Sequence, residues 1–149
     1  MLLRHSCAHV MAEAIERVVP GAQLVYGPPL ETGFYYDIAF PEDRPLREGD
    51  FEAIEKEMKA IVKENRPFTR YVQTYDEGIR KLESEGSKYK IDNAHRAHEA
   101  GSLSLSFYAT AEPGKYWDCL LFTSDAADYL LFVTLFGPLI FIHISLYLL

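Results

Sequence analysis

Cysteine is scarce in this chain. The two present among 149 residues, Cys7 and Cys119, cannot build a disulfide framework, so a reducing cytoplasmic setting is expected. Positive charge is in deficit: 15 Lys and Arg against 22 Asp and Glu leave a net charge of −7. That balance argues against indiscriminate adhesion to nucleic acid, though not against a site that grips only a terminus. No charged-then-apolar secretory leader precedes the first helical pattern, and no internal repeat is visible. From Cys119 onward there is no Lys or Arg at all; the only formal charges are Asp125 and Asp128, and "YLLFVTLFGPLIFIHISLYLL" closes the sequence. The length is one domain's worth of material, enough to bury a core.

What is present reads as alternating helices and strands. Leu3, Cys7, Val10, Met11, Ala14, Ile15 and Val18 recur at helical spacing, and Pro20-Gly21 stops that helix. "AQLVYG" and "FYYDIAF", joined by "PPLETG", predict a hairpin. Asp50 is a plausible cap for a second helix with the face Phe51, Ile54, Met58, Ile61 and Val62, ending before Pro67. "FTRYVQT" predicts a strand. Thr74 and Glu77 form a capping box that opens a third helix, which Gly86 closes. "KYKID" is ambiguous, "NAHRAHEAGS" reads as a connecting segment, and "LSLSFYAT" alternates like a half-buried strand. The fold class is therefore α+β, with helices packed on a mainly antiparallel sheet.

Within the first helix, "HSCAH" places His5 and His9 four residues apart, one above the other on the same face. They can address one metal ion or one substrate, or they can form a partly exposed polar stripe beside the core. A metalloprotease is excluded, because that motif needs Glu directly after the first His and Ser6 stands there. A metal site would need further ligands, for which the candidates are His95, His98, Cys119 and His143. His95 and His98 flank Arg96 in polar text where solvated histidines are common. Cys7 falls on the buried face and reads as a small core residue.

The blocks "LRHSCAHVMAEAI", "GPPLETGFYYDI", "IEKEMKAIVKENRPF", "KYKIDNA", "LSFY" and "GKYWD" occur in the order of the editing domain of threonyl-tRNA synthetases, which the chain resembles over residues 2 to 118. That domain is shared, more distantly, with alanyl-tRNA synthetases and free-standing relatives. The resemblance implies hydrolysis of serine wrongly esterified to threonine's tRNA. Serine differs from threonine by one methyl, worth only about 1–3 kcal/mol of discrimination in a pocket, so a second, hydrolytic site supplies the missing fidelity. It also implies roles. His5 and His9 would hold the water or polarise the ester, Tyr36 would contact substrate, Lys90 would stabilise an oxyanion or phosphate, and Asp118 would be the acidic residue before the family's cysteine. His5 and His9 are likewise candidate metal ligands, with zinc the implied ion. Beside these stand plainer readings: Tyr36 as hairpin packing and Lys90 as a surface charge.

The chain departs from the family after "GKYW". The family's Cys-x-x-x-His does not follow, since Thr123 stands four residues after Cys119. Residues 1–118 are therefore expected to be an editing domain, incomplete at its C-terminal end. Residues 119–149 are expected to be a non-native apolar tail, because "CLLFTSDAAD" and "IFIHIS" resemble translated transposase-adapter sequence. The competing reading is a bilayer-spanning segment, long and apolar enough but without flanking basic residues. The resemblance further implies a cytoplasmic parent ligase, homodimeric through domains not in this sequence, with ATP and Mg confined to its missing aminoacylation core. The expected partner is a tRNA acceptor end carrying a mischarged amino acid. Two other readings stand behind this one: a free-standing trans-editing protein of the alanyl-tRNA type, and a membrane-tethered binding module without catalysis.

Overall fold

The computed structural model describes residues 2–27, 34–111 and 117–121. The expected turn at 28–33, the block at 112–116 and the tail from 122, His143 included, lie outside the described residues. The chain divides into two compact units, one holding described residues 2–66 and the other 67–121. The class is α+β as expected. The strands form a two-stranded and a three-stranded sheet, and every pairing among the described residues is antiparallel.

The first unit runs α1 (Leu2–Val18), β1 (Gln23–Tyr26), β2 (Asp37–Ala39) and α2 (Asp50–Lys63). Helix α1 stops where Pro20-Gly21 require it, with Gly21 at φ +88°. Spacing alone gave this helix one apolar face, yet every residue from Ser6 to Ile15 is buried. Ser6, Ala8, His9, Ala12 and Glu13, off that face, are buried too, so the helix is enclosed rather than amphipathic. Helix α2 buries Ile54, Met58 and Ile61, while Phe51, expected on the same face, stays exposed.

Asp50 corrects one expectation. It is the first residue of α2 rather than its cap, and Gly49 at the cap position makes no side-chain bond. The Asp50 carboxylate instead receives Arg44 on both oxygens, at 2.7 and 2.8 Å, and the Arg47 amide at 2.8 Å. These bonds, Arg44 first, hold its carboxyl down to about 2.

The second unit runs β3 (Phe68–Thr74), α3 (Tyr75–Glu85), α4 (Lys88–Glu99), β4 (Ser104–Thr110) and β5 (Asp118–Leu121). Strands β3 and β4 pair without a slip from Phe68↔Thr110 to Thr74↔Ser104, and β5 lies on the far side of β4. Leu82, Ala94, Leu105 and Phe107 form the core, with Tyr71, Tyr75, Ile79 and Ile91 packed against it. The capping box is present in full: the Glu77 amide donates to Thr74 Oγ1, and the Thr74 amide donates to Glu77 Oε2. Gly86 closes α3 at φ +69°.

Helix α4 is the second correction, since the segment read as a connection is helical from Lys88 to Glu99. It ends in a Schellman motif: the Gly101 amide donates to the His98 carbonyl and the Ser102 amide to that of Ala97. Gly101 sits at φ +101°. The buried positions are Lys90 and Ala94, a charged residue and a small one. A helix whose inner stripe is so poor in large apolar side chains leaves no hydrophobic period to read.

Candidate active site

The enclosed helix α1 determines how its histidines meet. His9 is only 6% exposed and His5 is half-buried, so the rings cannot both turn out to water. Their Nε2 atoms lie 2.9 Å apart, with ring centroids at 4.7 Å and planes inclined by 35°. Such a contact needs one Nε2 to carry a proton and the other a lone pair. Burial lowers the pKa of His5, which favours its neutral form. The contact thus keeps one imidazole nitrogen in its lone-pair form, the kind of group that general base catalysis uses.

Tyr36, in the same unit, is half-buried and lies against the end of β1. A Cβ added at Gly27 would stand 2.5 Å from the ring's Cδ2 and 2.7 Å from its Cγ, so the ring occupies the space that glycine leaves open. This close approach supplies the hairpin packing read as the plainer account of Tyr36.

In the second unit, α4 carries Lys90 inward. At 7% exposure it is no surface charge, which removes that reading. Its Nζ donates to Cys119 Sγ at 2.6 Å, and Cys119 is 2% exposed on β5. Sequence reasoning gave these two residues no connection, because 29 positions separate them and only the fold of α4 and β5 brings them together. Asp118 opens β5 with its backbone opposite Ala109; its side chain lies outside the described part. The pairs His5–His9 and Lys90–Cys119 belong to different units.

His95 and His98 stand on α4, not in a loop. The Tyr75 hydroxyl lies 2.5 Å from His95 Nδ1, and the Tyr75 ring stacks on His98 at 3.9 Å. His98 Nδ1 donates to the Ser102 carbonyl at 2.9 Å. Cys7 is buried, as its spacing implied. A zinc site takes three or four ligands, and no group of three His, Cys, Asp or Glu converges among the described residues. His5 and His9 supply two donors, fewer than a zinc site takes. No helix among the described residues is long and apolar enough to cross a membrane.

A chain of this composition can be placed by its relatives. It is 46% identical over 91 residues to the threonine–tRNA ligase of Nitratidesulfovibrio vulgaris, covering 61% of this chain and 14% of that protein. It is 41% identical over 104 residues to the enzyme of Zymomonas mobilis, covering 70% and 16%. For Erythrobacter litoralis the figures are 40% over 114 residues, 76% and 17%. The chain is related to a region of threonine–tRNA ligase. It spans about a sixth of the length of these curated relatives. No protein-family model matches it.

Proposed function

We propose that this segment is the part of a threonine–tRNA ligase that edits, hydrolysing the ester of Ser-tRNA(Thr), with His5 and His9 handling the attacking water. The observation that carries the reading is the 2.9 Å approach of a half-buried and a buried imidazole on α1, in a chain related to threonine–tRNA ligases. A neutral imidazole takes a proton from water as its oxygen adds to the ester carbonyl carbon. The tetrahedral oxyanion then collapses, the bond to the ribose oxygen breaks, and the same proton passes to that oxygen. Serine and uncharged tRNA leave. Each such proton transfer contributes about 10²–10⁴-fold in rate.

We read Lys90, in the second unit, on its own account as a buried cation suited to an oxyanion or a phosphate. The acidic body, at −7, suits a module that relies on other parts of a ligase for most of its tRNA affinity. Residues 119–149 remain, in this proposal, a tail foreign to the ligase, and a cytoplasmic location follows from the parent enzyme.

Deacylation of Ser-tRNA(Thr) by the 149-residue chain is the test. His9→Ala and His5→Ala are expected to slow it by about 10²–10⁴-fold without changing the circular dichroism spectrum. Unaltered rates in both variants would refute the role of the pair. Faster turnover of Ala-tRNA than of Ser-tRNA would favour an alanyl-type trans-editing protein instead.

A further inference from the structure

His5, His9, Glu13 and Arg17 climb α1 at intervals of four residues and so share one face. The first two are the imidazole pair. The third has no part in the hydrolysis described above, yet it is the one buried carboxylate among the described residues, at 2% exposure. Its Oε1 accepts from Arg17 Nη2 at 2.5 Å and from Arg66 Nη2 at 2.7 Å. Arg17 is held in turn by Glu57 at 2.6 Å and Glu64 at 3.5 Å, and Arg66 Nε lies 2.8 Å from Glu64 Oε2. The two guanidiniums therefore fix the carboxylate from one side. Its other oxygen, Oε2, is shut off from solvent and accepts no hydrogen bond among the described residues.

A buried carboxylate oxygen demands a donor. Side chains on a helix lean toward its N-terminus, so Glu13 reaches back over the turn that carries His9, whose Cβ is about 5–6 Å away by helical geometry. We propose that Glu13 is a positioning residue for His9: Oε2 accepts from the Nδ1–H of the His9 ring through one bridging water. That bond would fix His9 in the tautomer whose Nε2 holds a lone pair. In the 2.9 Å contact, His5 Nε2–H is then the donor and His9 Nε2 the acceptor. His9 is then the acceptor of the pair, and it serves as the base once a water takes the place of His5 on that nitrogen, its imidazolium form stabilised by the Glu13 charge. The catalytic part of this inference rests on the hydrolysis reading; the tautomer does not.

Ring-nitrogen NMR of the full chain at mildly alkaline pH reads the tautomer without any activity. Wild-type His9 is expected to carry its proton on Nδ1, and Glu13→Gln, whose amide oxygen still accepts, to retain it. Glu13→Met is expected to release His9 to the Nε2–H form. An Nε2–H tautomer in the wild type overturns the proposal, even if Glu13→Met does not fold; so does an unchanged tautomer in a folded Glu13→Met. Deacylation by a folded Glu13→Met is expected to fall by no more than the about 10²–10⁴-fold expected of His9→Ala. If the wild type shows no deacylation, the hydrolysis reading fails while the tautomer still decides Glu13.

Discussion

Two polar pairs among the described residues are made in opposite ways. In the first unit, His5 and His9 meet because one turn of helix separates them. In the second, Lys90 and Cys119 meet because strand β5 returns to a helix 29 residues earlier. A pair of the first kind survives as long as its helix does, whereas a pair of the second kind depends on the tertiary fold. The histidine pair was therefore visible as "HSCAH", and the lysine–cysteine pair had no local signature.

The contrast can be broken most sharply at Lys90. Lys90→Ala removes a buried stem and is expected to lower the unfolding free energy by about 2–3 kcal/mol in urea titrations. Lys90→Met keeps the volume and loses the charge, so it is expected to stay within about 1 kcal/mol of wild type. Equal losses in the two variants would mean that the ammonium, not the packing, holds the pair together. Next is Gly78, another point where chain return matters. A Cβ there would meet Leu105 Cδ1 at 2.6 Å, so Gly78→Ala is expected to cost about 1–2 kcal/mol despite alanine's better helix propensity. A local contact sharpens the other side of the comparison. Thr74→Ala, which removes the cap of α3, is expected to cost about 1 kcal/mol by the same titration.

The smallest effect is a pH dependence in the first unit. Burial depresses the folded pKa of His5 below 6.5, so the unfolded chain takes up that proton first as pH falls. The contribution is fully present above about 6.5 and is lost as pH drops through the folded value. Urea titrations at successive pH values are expected to show this loss in wild type and not in His5→Asn.

Legibility from sequence followed the same division. The capping box at Thr74, the closing Gly86, the strand Phe68–Thr74 and the stop at Pro20-Gly21 are all local devices, and each stands where the sequence put it. Helix α4 escapes a periodicity reading because Lys90 and Ala94 face inward where Leu or Ile would mark the period. A better clue was the absence of Pro and Gly between Ser87 and Ala100, followed by Gly101 as a stop. Asp50 has the look of a cap in sequence, but Arg44 and Arg47 take its carboxylate from the preceding turn. The enclosure of α1 on every side could not be read from spacing, since small alanines look neutral in a periodicity count.

The joint between α3 and α4 has a consequence for how the second unit assembles. Gly86 and Ser87 alone link the two helices; the Ser87 amide donates back to Leu82, and the Tyr75 amide donates to the carbonyl of Leu103. The helical hairpin thus serves as one long turn between β3 and β4, bringing Thr74 beside Ser104 as soon as it closes. Pairing of those strands can then zip from that end toward Phe68 and Thr110, each step closing only a short additional loop.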